Sequence, residues 1–230
     1  VFDLCIAITT YEREDLLKSL LNDINKYKNY LKIKIFIFDD GSNIQYNLKD
    51  YDVKYIKYLV NHGKKQYWKL INDIFKVFKH ISSNYYMILP DDINLKNNFF
   101  NYAFKFYESI NDPKKICLNL LMDESRRGKK NWTNFQPIEY SNYYLTQWND
   151  LCFLAEKNFF EVLNYEITPI DENSWANNEN LSSLVGQQIS IRLYKLNKNM
   201  YHVKNSLVTH GPHISKMNTK EREINKLIAI

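Results

Sequence analysis

Two apolar runs in this chain stop abruptly on paired carboxylates. Ile33 to Phe38 runs into Asp39-Asp40-Gly41-Ser42, and Tyr85 to Leu89 runs into Pro90-Asp91-Asp92. Short, continuously apolar runs read as strands buried on both faces. A similar run, Leu4 to Thr9, opens the chain, and the alternating stretch 53–59 reads as a third strand. Between them lie segments of helical spacing, 15–27 (Leu16, Leu17, Leu20, Leu21, Ile24) and 67–78, with 98–108 also helical. Strand alternating with helix predicts an α/β domain with a mostly parallel sheet flanked by helices. Ligands in such sheets bind outside the carboxyl ends of the strands, where the strand order reverses. The acidic strand ends therefore mark the place of a site.

The second half is less regular. Strands are expected at 116–122 and 151–155, a helix follows to Leu163, and 168–180 is polar and irregular. A helix lies within 181–196, 206–215 is a loop carrying two histidines, and 221–230 reads as a terminal helix. With 230 residues, no internal repeat and no linker, one domain is expected over 1–230. Within it, 1–100 is the regular half and 101–230 the less regular one. The net charge of +5 suits small anionic ligands and is too small to argue for nucleic acid. Cys5, Cys117 and Cys152 are scattered through apolar runs, which argues against a disulfide framework or a cysteine zinc site. A reducing, cytoplasmic setting is the expectation, peripheral to a membrane or within a larger protein, since no run is long enough to span a bilayer. Heavy use of Lys, Asn, Ile and Tyr reads as codon bias and lends surface Lys and Asn little weight.

The residues themselves leave alternatives open. Asp39 and Asp40 before Gly41-Ser42 suit a tight turn, and equally a carboxylate receiving a ribose hydroxyl or base N–H. Asp91 and Asp92 would repel one another unless a cation lies between them or one is protonated. Mg²⁺ or Mn²⁺ takes oxygen ligands, typically one or two carboxylates with substrate phosphates.

The segments ITTYER, FIFDDGS, NHGKKQYWKLIN and YYMILPDDI resemble the nucleotide-binding half of family-2 and related GT-A glycosyltransferases. The resemblance covers roughly the first hundred residues, and implies a nucleotide-binding half over 1–100 and an acceptor-binding half over 101–230. It implies a GT-A, Rossmann-like fold and transfer of a sugar from a nucleotide diphosphate donor, UDP-sugar first, to a hydroxyl of a glycan, lipid or protein, with inversion. Carried over by position, it implies nucleotide contacts from Thr10, Tyr11, Arg13, Asp39, Asp40, Asn61, Gly63, Lys64 and Gln66, and a ribose or sugar contact from Asp91. It places the metal on Asp92, although the acids here are adjacent rather than spaced as D-x-D. VGQQISIRL followed by NSLVTHGPHISKM is similar to a helix, strand and histidine loop of such transferases, which implies His210 as a second metal ligand, with His213 and Lys216 toward phosphates.

The family's acidic pair at the start of the late helix is missing, since Leu184 to Gln188 holds no acid. The catalytic base is therefore assigned first to Asp150 and second to Glu172, with Glu179 also nearby. Trp148 and Trp175 flank these acids and either stack on sugar or fill core. The basic stretch 125–130 reads as a solvated loop or a contact to an anionic acceptor. Two other readings remain: a degenerate nucleotide-sugar-binding module, and a sugar nucleotidyltransferase. The second is disfavoured because nothing Gly-rich follows the first strand.

Overall fold

The computed structural model describes residues 1–122, 135–179 and 181–211. Its first half runs β1 (Phe2–Thr10), α1 (Glu14–Asn25), β2 (Ile33–Asp39), β3 (Lys54–Lys57), α2 (Gly63–His80), β4 (Ser83–Pro90), β5 (Ile93–Leu95) and α3 (Phe99–Ser109). Its second half runs β6 (Lys115–Asn119), β7 (Ile138–Glu139), β8 (Tyr143–Leu145), β9 (Phe153–Ala155), α4 (Asn158–Val162), a 3-10 turn (Glu172–Trp175), α5 (Val185–Lys195), β10 (Asn199–Val203) and β11 (Val208–His210). The basic stretch 125–130, His213, Lys216 and the terminal helix expected at 221–230 lie outside the described residues.

The strands form one large sheet in the order β3-β2-β1-β4-β9-β6-β10-β8-β7, plus a small β11-β5 pair. The pairs β2–β3, β1–β2, β1–β4 and β6–β10 are parallel. β9 runs antiparallel to both β4 and β6, and β8 antiparallel to both β10 and β7. All the large sheet's strands except β8 and β9 thus point one way, and the mostly parallel α/β expectation holds.

Burial on both faces explains the unbroken apolar runs. On β1, Leu4, Ile6 and Ile8 face one core with α1 and α3, while Cys5 and Ala7 face the other with α2, α4 and α5. β2 divides the same way, with Ile33, Ile35 and Ile37 opposite Phe36 and Phe38. Side chains alternate across a strand, so a sheet covered by helices on both sides needs apolar residues at every position. β7 and β8 had no comparable signal. At the sheet's far end, β7 has two residues, both exposed (Ile138–Glu139), and β8 three (Tyr143–Leu145), too short for a strand period to show.

Because β1 is flanked by β2 and β4, the chain order reverses at β1. The carboxyl ends of β1, β2 and β4 meet there. β9 enters the sheet from the same edge, because it runs the opposite way. A cavity of about 410 Å³ lies beside β8 and β10, lined by Asp112, Tyr140, Tyr143 and Tyr201 among others. The acidic strand ends lie at the carboxyl edge of β2 and β4, away from that cavity.

Candidate active site

The first acidic pair is bound into the fold. Asp39 is fully buried; Ser42 donates to its Oδ1 from the backbone N–H (2.9 Å) and hydroxyl (2.5 Å), and the Tyr55 hydroxyl donates to Oδ2. Asp40 turns toward the start of α2. It receives the backbone N–H of His62 (3.0 Å) and Gly63 (3.3 Å), the Asn61 side-chain amide (3.1 Å), and contacts His62 Nδ1 at 2.6 Å. These contacts satisfy N–H groups that a helix start leaves without partners. The cap explains why α2 begins at Gly63, earlier than its apolar spacing predicts. Burial raises the Asp40 carboxyl above its ordinary value, against the pull of His62 and Gly63. Gly41 completes the turn at φ +82°, and a Cβ there would lie 2.6 Å from the Asn61 nitrogen and 2.7 Å from the Val60 carbonyl carbon. Only glycine fits that approach.

The second pair faces cationic partners. Arg13 Nη1 bridges it, 3.0 Å from Asp91 Oδ1 and 2.8 Å from Asp92 Oδ2. Thr10 Oγ1 donates to Asp91 Oδ2 (2.8 Å), and the Tyr11 backbone N–H also donates to Asp91. Asp91 thereby ties the loop after β1 to the end of β4. Burial is the largest influence on Asp91 and pushes its carboxyl up to about 6; Arg13 and Thr10 pull it down, and the Asp92 charge pushes it further up. The loop is also anchored to the first turn. The Glu12 N–H donates to the Ser42 hydroxyl (2.8 Å) and the Arg13 N–H to the Tyr46 hydroxyl (2.8 Å), with Glu12 held at φ 54°.

His210 reaches Asp92 through the small sheet. β11 pairs with β5 so that His210 stands opposite Ile93, beside Asp92 in sequence, and the Gly211 N–H donates to the Asp92 carbonyl (3.1 Å). His210 Nδ1 lies 3.4 Å from Asp92 Oδ1, with the histidine side chain about a third exposed (35%) and the carboxylate 4% exposed. Among the described residues, no three His, Cys, Asp or Glu side chains gather as a cage for a metal ion. Asp92 and His210 do fit an ion shared with substrate phosphates, where hard oxygen donors and one imidazole suffice.

Asp150 stands at the same edge. β4 and β9 pair as far as Ile88↔Phe153; counting on equally from each places Asp150 level with Asp91. Trp148 Nε1 donates to Asp150 Oδ1 (2.8 Å), His202 Nε2 lies 3.2 Å from Oδ2, and the Asp150 N–H donates to Asn119 Oδ1 (2.8 Å). Cys152, buried beside it, feels the charges of both Asp150 and Asp92. Glu172, the second choice, sits exposed in the 3-10 turn. Among the described residues no hydrogen bond joins it to this network. Trp148 is half-buried and holds Asp150, whereas Trp175 is buried, with Nε1 donating to the Ser182 carbonyl (3.0 Å). Of the two readings open for Trp175, sugar platform or core, its burial selects core packing. Glu179 is exposed, and its carbonyl accepts from Lys64 Nζ. Gln66 Oε1 accepts from Lys69 (2.9 Å), and Tyr67 beside it is buried with its hydroxyl on Thr9 Oγ1 (3.0 Å).

Residues 5–158 match the family described as glycosyl transferase family 2. The chain belongs to that family. Family-2 sequence therefore covers both acidic turns, Asp150 and β9. Among solved structures, S. aureus TarS 1–349 superposes with a TM-score of 0.58 at 15% identity, covering 91% of this chain and 60% of that one. The same fragment in complex with UDP gives 0.59 at 15% identity, over 90% of this chain and 59% of that one. A longer TarS chain gives 0.57 at 13% identity, over 90% and 36% respectively. This chain thus spans about three fifths, or less, of the TarS chains it resembles, and at these identities the likeness is one of fold. No curated protein sequence matches it. Among the described residues, no helix is long and apolar enough to cross a membrane.

Sequence reasoning missed His202, Asn119, Tyr55 and His62. Each is polar within or beside an apolar run, and each turns out to satisfy a carboxylate or its backbone at the carboxyl edge. Buried Asn119 in CLNLL and His202 in MYHV carried the available signal, since a polar residue inside a covered sheet needs a specific partner.

Proposed function

We propose that this family-2 chain transfers a sugar from a nucleoside diphosphate donor, UDP-linked by preference, to a hydroxyl of a glycan, lipid or protein, with inversion. The observation that carries the reading is the meeting of the Thr10–Arg13 loop, Asp91, Asp92, His210 and Asp150 at one switch point of the sheet. UDP in the TarS complex is in keeping with the preferred nucleotide.

Thr10 and Tyr11 bind the nucleoside, with the Asp39–Asp40 turn and Asn61 shaping that wall. Gly63, Lys64 and Gln66 flank it from the start of α2. Arg13 exchanges its place between Asp91 and Asp92 for a place on the diphosphate, and Asp91 orients the ribose or sugar. Asp92 and His210 would hold Mn²⁺ or Mg²⁺. When bound, such an ion offsets charge on the leaving diphosphate. Asp150 takes the proton from the acceptor hydroxyl, whose oxygen bonds to the anomeric carbon as the carbon–diphosphate bond breaks.

One observation favours a second reading, a nucleotide-sugar-binding module without turnover. The start of α5 carries no acid, and Gly186 packs so closely that a Cβ would lie 2.6 Å from the Asn149 carbonyl oxygen. A donor panel separates the two. Each UDP-, GDP-, CDP- and TDP-sugar is incubated with Mn²⁺ and free nucleotide release is followed. Release by the wild type that falls at least a hundredfold in Asp150→Asn supports transfer. Binding without release from any donor, with or without added sugar acceptors, contradicts it.

A further inference from the structure

His202 is an unusual residue to find inside this sheet. It lies on β10, is 3% exposed, and has both ring nitrogens engaged. Nδ1 is 2.7 Å from Thr146 Oγ1, and Nε2 is 3.2 Å from Asp150 Oδ2. The other Asp150 oxygen receives Trp148 Nε1, and the backbone N–H of Asp150 is held by Asn119. Asn119 is itself fixed, its amide donating to the carbonyls of Trp148 (3.0 Å) and Tyr201 (2.9 Å). The Asp150 carboxylate is about a quarter exposed (25%) while the imidazole behind it is sealed. The more exposed member of this chain of contacts is therefore the carboxylate, at the edge where Asp91 and Asp92 lie.

The geometry points to His202 as a positioning residue for Asp150: anchored at Nδ1 by Thr146 Oγ1, the ring presents Nε2 to Oδ2, and as an Nε2–H donor it holds the carboxylate in one orientation and in its ionised, proton-accepting form. This rests on the base role proposed for Asp150. A neutral Nε2–H donor stabilises a carboxylate over a carboxylic acid, and a protonated ring does so more strongly, so the direction is the same for either state. Among the described residues, the thiols of Cys117 on β6 and Cys152 on β9 also face Asp150. Burial pushes Cys117 up to about 12 and Cys152 higher still, so both stay neutral where a carboxylate titrates. The Asp92 charge, like that of Asp150, also opposes ionisation of the Cys152 thiol. α5 meets the knot through the Ser190 hydroxyl, which accepts from the Asn149 N–H (2.8 Å).

Two near-isosteric variants separate positioning from packing. In His202→Gln the side-chain amide reaches as far as Nε2 and keeps a donor on Asp150. In His202→Asn it reaches only as far as Nδ1, keeping Thr146 and losing Asp150. The Asp150 carboxyl carbon is followed by ¹³C NMR through a pH titration of nucleotide-free, metal-free protein, assigned by its disappearance in Asp150→Asn. In parallel, kcat and KM are measured as nucleotide release from the donor turned over fastest by the wild type. The expected result is an Asp150 titration displaced to higher pH in His202→Asn and restored in His202→Gln. The acidic limb of the kcat profile should move the same way, with kcat at neutral pH about tenfold lower in His202→Asn and donor KM unchanged. An Asp150 titration alike in wild type and both variants overturns the inference, as does an equal loss of kcat in both. Full turnover in Asp150→Asn removes the base reading instead, and is recognised separately because the NMR displacement would remain.

Discussion

Asp39 and Asp40 close β2 and take their hydrogen bonds chiefly from neutral donors of the fold: Ser42, Tyr55, Asn61 and backbone N–H groups, with the His62 ring on Asp40. Asp91 and Asp92 close β4, on the other side of β1; Asp91 also takes the Thr10 hydroxyl and the Tyr11 N–H, but among the described residues this pair is the one bridged by a guanidinium, that of Arg13, with His210 beside Asp92. A carboxylate satisfied by backbone and hydroxyl donors is part of the architecture, because those donors have nowhere else to go. A carboxylate held by a cationic side chain on a loop can exchange that partner for an ion or a ligand. On the proposed function, the same dipeptide shapes the nucleoside wall at one strand end and takes part in the chemistry at the other.

Breaking the second pair should cost activity most. Asp92→Ala should lower donor turnover roughly a thousandfold, measured as nucleotide release at saturating Mn²⁺, because a leaving diphosphate departs slowly unless its developing charge is offset. Its melting temperature without ligand should change little. Gly41→Ala inverts that pattern. The φ of +82° and the 2.6 Å approach to Asn61 predict a loss of about 3 kcal/mol in stability by chemical denaturation, with the nucleotide site lost only as the fold is lost. Asp40→Ala tests the same contrast at smaller scale. Uncapping α2 and orphaning its N–H donors should cost about 2 kcal/mol.

A pH dependence is the mildest of these effects. Burial raises the Asp91 carboxyl from its ordinary 3.8 to about 6, so the folded state holds that proton more tightly than the unfolded chain. Its contribution to stability is present below about pH 4 and is lost as pH rises through about 6. Asp91→Asn cannot ionise. In metal-free protein its stability relative to wild type should therefore rise between pH 4 and pH 7, by on the order of 2 kcal/mol. A difference that stays flat with pH would show that Arg13 compensates Asp91 fully.

The α/β architecture and the edge that carries the site were legible because buried parallel strands must be apolar at every position. A switch point then follows from topology. The acidic pairs were equally visible, but their division of labour was not. Nothing in Asp-Asp-Gly-Ser says that Asp40 will cap α2, since the partners His62 and Gly63 arrive from beyond β3. His202 and Asn119 were hidden for a related reason. Their role depends on β10 and β6 lying side by side next to β9, an order in space that the order in sequence does not reveal. Trp175 went the other way, an aromatic residue beside acids that packs into the core.

Everything proposed for the second pair depends on Asp92 and His210 binding a nucleotide diphosphate through a shared divalent ion. The decisive measurement is the melting temperature of wild type, Asp92→Ala and Asp40→Ala with UDP, GDP, CDP and TDP, with and without Mn²⁺. A ligand that binds only the folded state at a hundred times its Kd stabilises it by about 2.7 kcal/mol. The predicted result is a rise for one nucleotide that requires Mn²⁺, survives in Asp40→Ala from its lower starting point, and vanishes in Asp92→Ala. No shift with any nucleotide under either metal condition, or a shift that Asp92→Ala retains in full, would contradict that role.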